Sequence, residues 1–585
     1  MILIFGGTTE GRKAVEVLEE AAKPYYYSTK TGEQDITLHQ GHRIDGALDE
    51  EAMQSFCQEH NIRLIVDAAH PFASQLHQTI ARVSEKMNIP VVRYERIYPS
   101  RDPSITWIDD YSQIPCDIHS LLATTGVQSI SHLKWLEERG CKVVYRILNR
   151  DSSIQLAYQQ GATANQLCFY PHTVDAEAML LKESGESGGF NEKVAEAKEK
   201  GMRIIALKRP QLPVDIGQWL MVNGPYGLRR AIEKLLPEFY PLHSGLTTGT
   251  CATAAAVAET LRMTKGEMPD EVPVVLPNGE TIMVAVGYGN GYAYCIKEAG
   301  DDPDVTNGLE IRVSLTPTPF PKGEGNIEIQ GGEGVGRFTL PGFDFPPGEP
   351  AINKAPREMI RNNLTRLITP LYGEGLEVRL SVPQGAEIAR RTFNPRLGIE
   401  GGISIIGVSG IVKPFSEDAF IDSIRKCMTV AKASGSERVV INSGGKSERF
   451  VKALYPDLPQ QAFVEYGNYI GETLKIANEL DFKNVTLGVM LGKAVKLASG
   501  HLDTHSRKAT MDKLFIQQML EEANIDVDLS EITLARELWE KIPQENLQHF
   551  AATIIRHCAE HCNPLLPKGV LTIFLIDDNG KIYEI

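Results

Sequence analysis

A chain of 585 residues with 42% hydrophobic and 23% charged side chains is composed like several globular domains, which excludes a largely disordered protein. Its net charge of −15 argues against nonspecific nucleic-acid binding and requires any polyanionic ligand to meet a local cluster of Arg and Lys. No apolar run approaches the roughly 20 residues that span a bilayer, and nine scattered cysteines suggest no disulfide framework, so we expect a cytoplasmic protein with no membrane partner.

The chain opens with an apolar strand, 2–5, that runs through a glycine-rich turn, 6–11, into a helix-like stretch. Backbone N–H groups at the start of a helix attract phosphate, and glycines let it approach closely. The P-loop motif requires Lys-Ser/Thr where Arg12-Lys13 stands, so we set a phosphotransferase aside. The dinucleotide pattern G-x-G-x-x-G is matched loosely, and a tight structural connection is an equal alternative.

Short β-rich runs alternate with amphipathic stretches as far as residue 240, which predicts parallel sheets with helical crossovers in two Rossmann-like lobes. A helix over 226–236 then ends at Pro237 and Pro241, where we place the boundary between domains 1–241 and 242–585. The predicted strands are 2–5, 25–29, 64–67, 91–94, 118–123, 143–148, 178–181 and 204–208.

Three of these strands end in turns that carry polar groups. Asp67 and His70 follow the strand 64–67, Thr124-Thr125-Gly126 follows 118–123, and Lys182-Glu183-Ser184-Gly185 follows 178–181. Open α/β sheets bind ligands at the carboxyl ends of their strands, so the three turns indicate one crevice. For Asp67 and His70 the alternative is a helix cap, with each side chain bonding to unpaired N–H groups.

The second half has more glycine and more hairpin signals, which predicts an α+β domain followed by an α/β portion. Asn278-Gly279 between two β-rich runs predicts a hairpin, and two βα turns are predicted at 443–445 and 492–493. Thr247 and Thr248 precede an alanine-rich helix, where they suit an anion or simply form an N-cap. We expect Cys251, in that helix, to be a buried packing residue rather than a nucleophile.

The C-terminal run His557-Cys558-Ala559-Glu560-His561-Cys562 is the most metal-like pattern of the chain. Adjacent residues of a helix point about 100° apart, whereas a structural zinc ion takes four converging ligands, so we predict no metal site. His501 and His505 stand four apart without the glutamate of H-E-x-x-H, which argues against a zinc protease.

Taken together, the motifs of the first half resemble those of the precorrin-6A reductase family. They occur in the family's order as GGTTEGR at 6–12, DAAHPFA at 67–73, RYER at 93–96, TTG at 124–126, KESGESGG at 182–189 and KRP at 208–210. The resemblance implies a nicotinamide dinucleotide at the first glycine turn. The strand 25–29 ends in Ser28-Thr29-Lys30 without the acidic residue that holds an NAD ribose, which favours NADPH, while family members of the cobalt branch are associated with NADH.

The motifs of the second half resemble those of the cobalt-precorrin-5B C1-methyltransferase family. They form a long ordered match that includes GLTTGTCATAAA, KEAGDDPDVT, GGEGVGRFTLPG, VPQGAEIARRTFNPRLGIEGGISIIGVSGIV, GKAVKLASG and THS. The resemblance implies S-adenosylmethionine as methyl donor and a corrinoid substrate that brings its own cobalt.

The two resemblances together imply a bifunctional enzyme of cobalamin biosynthesis. The methyltransferase family makes cobalt-precorrin-6A, and the reductase family reduces it to cobalt-precorrin-6B. The alternative is an active methyltransferase whose N-terminal half only binds nucleotide or corrinoid, and a more distant one is a metal-handling protein. The sequence leaves open whether the chain forms a homo-oligomer.

The site residues follow from these motifs and from the expectation that arginines pair with substrate carboxylates. The predicted catalytic residues are His70, Asp301, Asp302 and His505. The predicted cofactor-binding residues are Gly6, Gly7, Thr8, Thr9, Gly11, Thr125, Gly126, Ser443, Gly444, Gly445 and Gly492. The predicted substrate-binding residues are Phe72, Lys182, Ser184, Thr247, Thr248, Arg337, Arg391, Arg396 and Lys493. For the charged residues among them, ordinary solvated loops are an equal alternative.

Overall fold

A computed structural model describes residues 1–30, 32, 34–212, 219–318, 327–368, 375–505 and 511–585. Two compact units are present, one of Met1–Ser244 with Pro273–Met283 and the other of Gly245–Val272 with Val284–Ile585. The unit boundary thus falls at Ser244, close to the predicted domain boundary after 241. Ser506, the last residue of the THS motif, lies outside the described residues.

The first unit contains two parallel six-stranded sheets, as the alternation of strands and helices predicts. The first sheet has the order β12-β5-β4-β1-β2-β3, and all of its neighbouring strands are parallel. Its strands are β1 (Ile2–Phe5), β2 (Tyr25–Thr29), β3 (Gly41–Asp45), β4 (Leu64–Asp67), β5 (Val91–Tyr94) and β12 (Trp219–Val222). Its helices are α1 (Thr9–Glu19), α2 (Glu50–Glu59), α3 (Ser74–Met87) and α7 (Pro225–Leu235).

The second sheet has the order β6-β11-β10-β7-β8-β9 and is also parallel throughout. Its strands are β6 (Thr106–Ile108), β7 (Ser120–Ala123), β8 (Lys142–Ile147), β9 (Leu167–Phe169), β10 (Ala178–Lys182) and β11 (Arg203–Leu207). Its helices are α4 (Lys134–Glu138), α5 (Asp151–Gln159) and α6 (Phe190–Glu199). Aliphatic residues of the central strands are fully buried beneath these helices, which gives each lobe its own core.

The second unit begins with the alanine-rich helix, whose residues are buried from Thr248 to Leu261 because small side chains let it lie deep against a sheet. This sheet has five strands of mixed direction in the order β16-β17-β18-β21-β19. The predicted hairpin around Asn278-Gly279 is confirmed, as β14 and β15 pair with each other. Cys251 is fully buried, as predicted.

The elements of this part are β13 (Gly245–Leu246), α8 (Thr248–Lys265), β16 (Gly287–Gly289), β17 (Tyr292–Ile296), β18 (Glu310–Thr318), β19 (Ile327–Gly331), β20 (Arg337–Phe338), α9 (Lys354–Ile368), β21 (Gly375–Ser381), α10 (Gly385–Ala389), β22 (Ile399–Glu400) and β23 (Ile411–Val412). The hairpin strands are β14 (Glu271–Val275) and β15 (Thr281–Ala285), of which residues Pro273–Met283 belong to the first unit.

The α/β portion of the second unit is a sheet in the order β25-β24-β26-β27-β28, parallel except for the last strand. Its elements are α11 (Glu417–Ala433), β24 (Arg438–Asn442), α12 (Gly445–Lys452), β25 (Phe463–Glu465), α13 (Ile470–Glu479), β26 (Asn484–Met490), α14 (Leu491–Ala498), α15 (Lys513–Glu522), α16 (Leu538–Lys541), α17 (Leu547–Cys562), β27 (Val570–Ile576) and β28 (Ile582–Tyr583). Residues of α12 and α14 belong to separate cores. The chain runs from β24 outward to β25 and then back to β26, so a topological switch point lies between β24 and β26.

The predicted fold class is therefore confirmed for both halves. None of the helices in the described residues is both long and apolar enough to cross a membrane. All nine cysteines are described, and none of them forms a disulfide.

Candidate functional site

The glycine turn and the Asp67 turn lie side by side, because β1 and β4 are neighbours in register. The Thr8 hydroxyl joins them: it donates to Ala68 O over 2.7 Å and accepts from Gly11 N over 3.0 Å. The Thr8 hydroxyl therefore caps α1 and links the two turns, and cofactor binding by Thr8 stays a prediction.

The Gly7 amide lies at the point where a phosphate was predicted. Gly7 has φ +86°, which favours glycine, and no atom of the described residues lies within 4 Å of an added Cβ. Its N–H donates to Tyr27 Oη over 3.0 Å and to Gln34 Oε1 over 3.1 Å. At Gly6, by contrast, a Cβ would clash with the Tyr27 ring, so that glycine is required by packing.

The turns of the second lobe meet those of the first through Arg96. Its Nε is 2.9 Å from Glu10 Oε2 in α1, and its Nη1 donates to Ser184 O over 2.7 Å. Ser187 also hydrogen-bonds to Glu10. The Thr124–Gly126 turn lies at the same edge, because β7 pairs with β10. The predicted crevice is therefore present within the first unit, and Arg96, which the sequence analysis gave no role, closes it.

Cationic groups surround His70 and Phe72 in this crevice. Lys182 Nζ is 4.9 Å from the centroid of the Phe72 ring, and Lys193 Nζ donates to Gly188 O over 3.3 Å. In the described part of the chain, neither ammonium group forms an ion pair with a carboxylate. Burial, followed by the charges of Arg96 and Lys182, lowers the pKa of His70 to about 3, so this ring is neutral at neutral pH.

Two further observations concern the charge of this cluster. Burial lowers the pKa of Lys182, and Lys193 lowers it further. Arg146 is buried, and although its Nη1 pairs with Glu196 over 2.8 Å, its Nη2 has no hydrogen-bond partner among the described residues. In a chain of net charge −15, concentrated and incompletely paired positive charge of this kind is suited to an anionic ligand.

A buried network supports the turn that carries His70. Asp67 Oδ2 is 2.6 Å from His77 Nδ1, and Asp67 Oδ1 is 2.9 Å from Arg93 Nη1. His77 Nε2 reaches His70 O over 3.1 Å, and Arg93 donates to Ala69 O over 2.9 Å. Burial alone would raise the pKa of Asp67, but Arg93 and His77 more than offset this and leave it below its ordinary value. Asp67 therefore holds the turn, and neither of the predicted alternatives included His77.

An acidic residue does lie beside the end of β2, although the sequence of that strand lacks one. Asp45, at the end of the neighbouring β3, accepts from Thr29 Oγ1 over 3.2 Å and pairs with Arg43 over 3.1 Å. The expectation of NADPH was based on the absence of such an acid, and the structure removes that argument. The Asp45 carboxylate and the Arg43 guanidinium lie together beside the end of β2.

The second unit has its own crevice at the switch point between β24 and β26. Gly444 has φ +149°, its N–H donates to Asn442 Oδ1 over 3.1 Å, and α12 follows it. Among the described residues, no atom lies within 4 Å of a Cβ added at Gly445 or Gly492. Both predicted βα turns therefore border open space at the carboxyl edge of the sheet.

Four charged groups lie around this edge. Arg396 Nη1 is 2.8 Å from Glu448 Oε2, and Lys493 donates to Gly467 O. Burial lowers the pKa of Lys493 to about 8 despite the opposing charge of Glu465. Burial also raises the pKa of Glu465, against the charge of Arg396. Glu465 was missed because β25, a strand of three residues, carries no clear sequence pattern, and Glu448 was missed because a charged residue of a helix such as α12 has no local signal for a site.

Hydrogen bonds connect this crevice to the start of α8. Ile406 N donates to Thr248 Oγ1 over 2.8 Å, and Ser404 Oγ donates to Asn394 Oδ1 over 3.2 Å, two residues before Arg396. The Thr247 hydroxyl accepts from Thr250 N over 3.2 Å. Both hydroxyls thus take part in the cap of α8 and in the loop beside it, and substrate binding by Thr247 and Thr248 stays a prediction. Next to them, Ile406, Val408 and Phe415 are 48%, 79% and 66% exposed.

The other predicted residues occupy varied positions. Asp302 Oδ1 accepts from Phe415 N over 3.0 Å and so holds the loop before α11, while Asp301 is exposed. His505 is the residue after Thr504, and the Thr504 N–H donates to Asn468 O over 3.0 Å at the crevice edge. Arg337 donates to Gly348 O over 2.7 Å, and Arg391 is exposed.

The histidines and cysteines of α17 separate in space. Cys558 and Cys562 are fully buried in the core, whereas His557 is bonded to Glu522 over 2.9 Å. Within the described ranges, no group of three or more His, Cys, Asp or Glu side chains is arranged to hold a metal ion.

The folds define a chain of two units, each with a crevice at the carboxyl ends of parallel strands. The family model described as "Precorrin-6x reductase CbiJ/CobK" matches residues 1–222, and the CbiD family model matches residues 237–414.

Curated relatives cover the second of these regions. A cobalt-precorrin-5B C(1)-methyltransferase of Prosthecochloris aestuarii is 42% identical over 349 residues, 57% of this chain and 94% of the relative. One of Geobacillus sp. is 40% identical over 54% of this chain and 88% of the relative. The chain belongs to the cobalt-precorrin-5B C(1)-methyltransferase family, joined to a CbiJ/CobK reductase domain, and is thus a fused enzyme of cobalamin biosynthesis.

Two solved structures are also similar. A cobalamin biosynthesis protein, CbiD, of Archaeoglobus fulgidus is 28% identical with a TM-score of 0.27, covering 46% of this chain and 83% of that one. A CobK precorrin-6A reductase is 16% identical with a TM-score of 0.33, covering 40% of this chain and 96% of that one.

Proposed function

We propose that the chain carries out two consecutive reactions. The second unit methylates C1 of cobalt-precorrin-5B with S-adenosylmethionine to give cobalt-precorrin-6A, and the first unit reduces that product to cobalt-precorrin-6B with NADPH or NADH. The observation that carries the proposal is the presence of both families in one chain, because the product of one activity is the substrate of the other.

The residues of the first crevice fit a dinucleotide at the glycine turn. The start of α1 offers unpaired backbone N–H groups, and the open space over Gly7 admits a phosphate. A phosphate there replaces Tyr27 and Gln34 as acceptors of the Gly7 N–H. Thr125 and Gly126 border the same crevice from the second lobe, and the Arg43–Asp45 pair is placed to meet the ribose. The bound dinucleotide supplies a hydride to the substrate.

The cationic cluster then binds the substrate. Lys182, Lys193 and Arg96 meet its carboxylates, and Phe72 lies against its ring system. The neutral His70 ring hydrogen-bonds to the substrate, while Lys182, a protonated amine with a lowered pKa, is the group that can release a proton to the carbon opposite the hydride. This assigns His70 a binding role and moves the proton source to Lys182.

The second crevice fits the methyl donor and the corrinoid ring. The open edge at Ser443, Gly444, Gly445 and Gly492 holds S-adenosylmethionine, whose sulfonium supplies an already electrophilic methyl group. The protein's task is to exclude water and align the two reactants. Arg391, Arg396 and Lys493 meet carboxylates of the substrate, and the exposed side chains of Ile406, Val408 and Phe415 lie against its apolar face.

Two separate assays test the two activities. Cobalt-precorrin-5B with methyl-deuterated S-adenosylmethionine should give a product that carries one labelled methyl group. Cobalt-precorrin-6A with NADPH or NADH should cause oxidation of the nicotinamide, with two hydrogens gained by the corrinoid. Absence of methyl transfer would contradict the proposal for the second unit.

The engaged Gly7 amide favours one alternative, in which the first unit has only a binding role and holds corrinoid at the cationic cluster. Corrinoid binding without nicotinamide oxidation under either cofactor would establish that alternative and contradict the proposed reductase.

A further inference from the structure

We infer that the second unit holds the adenosine portion of its methyl donor in a cleft beside the end of β26. The cleft is lined by residues 490–492 and 534–536, by Trp539 and by Asp578, and its volume is about 330 Å³. The inference rests on the proposed methyltransferase function and adds to it a nucleoside subsite that the sequence analysis did not contain.

The position of the cleft is that of a ligand site in an open α/β sheet. Met490 ends β26 and Gly492 lies in the first turn of α14, while Asp578 follows the neighbouring strand β27. The cleft therefore opens at the carboxyl ends of two parallel strands, next to the switch point. Its volume lies at the lower end of the range for small-molecule sites, roughly 300–1,000 Å³, which suits a nucleoside and is too small for a tetrapyrrole.

The walls suit a flat aromatic ring. Trp539 is stacked on Tyr583 with 5.2 Å between ring centroids and 11° between their planes, and its edge meets Phe550 at 6.4 Å and 85°. These contacts hold the indole in one orientation. Leu491 is buried, whereas Leu534 is 49% exposed although it is a large aliphatic residue. A purine between Leu534 and the indole gains apolar burial and aromatic contact.

The polar groups at the mouth suit a ribose. Asp578 Oδ1 is 2.9 Å from Lys446 Nζ, and about half of each side chain is exposed. A carboxylate fixed in this way accepts hydrogen bonds from a pair of vicinal hydroxyls. Lys446 belongs to α12, so the same pair joins the cleft to the turn at Ser443–Gly445.

Gly492 fixes the direction of the ligand. It lines the cleft, and the next residue, Lys493, belongs to the charged crevice with Glu465. A nucleoside in the cleft therefore points its 5′ end toward the switch point, where the rest of the donor and its methyl group meet the substrate. No atom of the described residues lies within 4 Å of an added Cβ, so a side chain at position 492 fills ligand space without disturbing protein packing.

The test is equilibrium binding of S-adenosylhomocysteine and of 5′-methylthioadenosine to the full chain, measured by titration calorimetry without corrinoid. Gly492→Leu should weaken both ligands by the same factor, at least about tenfold, because the change acts at the nucleoside end. Trp539→Phe, which keeps a ring on Tyr583, should bind more weakly and lose the ligand-induced change in tryptophan fluorescence. Gln518→Leu, an exposed position on α15, is the matched control and should bind like the wild type.

Three results are distinguishable. Wild-type chain that binds neither ligand contradicts the proposed methyltransferase itself. Wild-type binding that Gly492→Leu and Trp539→Phe leave unchanged overturns the adenosine cleft alone. Weakened binding in both variants, with unfolding temperatures and circular dichroism like those of the control, supports it.

Discussion

Individual side chains acquire their chemistry from burial and from their charged neighbours. His70 and Lys182 share one crevice, where burial and neighbouring cations lower the pKa of both groups, that of His70 to about 3. In the second unit, burial lowers the pKa of Lys493 and raises the pKa of Glu465. A histidine in a sequence suggests a proton donor, but the sequence does not show the burial of His70, which is the main cause of its low pKa, or the nearby charges of Arg96 and Lys182.

Two substitutions at Lys182 separate binding from proton transfer. Lys182→Arg keeps the positive charge but removes a proton that can be released at neutral pH, so kcat for reduction should fall at least about 100-fold with KM changed little. Lys182→Met should lower kcat and raise KM together. Steady-state rates of nicotinamide oxidation give both constants. Equal kcat for wild type and Lys182→Arg would contradict the assignment of Lys182 as the proton source.

Methyl transfer should depend on pH through Lys493. Its charge is present below its pKa of about 8 and is lost as pH rises through that value, so KM for the anionic corrinoid should rise on the alkaline side. Lys493→Arg keeps its charge throughout and should show a flat KM over the same interval. A rise in KM that is identical in both proteins would assign the pH dependence to another group.

Secondary-structure elements were predictable wherever an apolar run was long and its ends were marked. β1, β2, β4 and β5 have the predicted bounds, because buried central strands of a parallel sheet are almost continuously apolar. The missed strands β3, β6, β9 and β12 are the four sheet edges, which are short or lack a clear pattern. Nor could the sequence show that β12, which comes after all strands of the second sheet along the chain, pairs with β5 in the first sheet.

The residues of the candidate sites were likewise predictable only where a local sequence pattern marked them. Turns after predicted strands were found, whereas Arg96, His77, Glu465 and Trp539 join their sites through long-range contacts that have no local signal. In the sequence, Thr8, Thr247 and Thr248 fit both a helix cap and a ligand contact. The structure adds the hydrogen-bond partners of their hydroxyls, which the sequence cannot show.

The Asp67 network should be the most sensitive element of the first unit. Asp67→Asn removes the carboxylate charge that pairs with Arg93 Nη1 and leaves the buried guanidinium with its second ion pair, to Glu95 over 3.3 Å, so the change should cost about 3 kcal/mol of unfolding free energy. The Asp67 contribution is present above the unfolded-state pKa of about 3.9 and is lost as pH falls below it, because its folded-state pKa is lower. Thermal unfolding of the full chain measures the loss.

Asp117→Asn is the matched control, since it breaks an exposed ion pair with Arg203 in the same unit. It should leave the unfolding temperature unchanged. A similar small effect at Asp67 would show that the buried network does not support the turn.

The whole molecule joins two families whose reactions are consecutive, in the reverse of their order along the chain. In the proposed function, the second unit carries out the earlier step and the first unit the later one. Both crevices use the same architecture, the carboxyl edge of a parallel sheet, but they differ in charge. Incompletely paired cations fill the first, whereas the second balances Arg396 and Lys493 against Glu448 and Glu465. This difference fits the proposed ligands, because the cations of the first crevice are proposed to meet the carboxylates of the corrinoid, whereas the second crevice is proposed to hold both that polyanion and a cationic methyl donor.

The most direct test of the fused activity is a single incubation of the full chain with cobalt-precorrin-5B and S-adenosylmethionine, with and without NADPH or NADH, followed by mass spectrometry of the corrinoid. We expect the corrinoid to gain one methyl group in every case and two further hydrogens only when a reduced cofactor is present. Methylation with no added hydrogens under either cofactor would contradict the proposed reductase activity. An unchanged substrate mass would contradict the proposed methyl transfer and with it the two-step reaction.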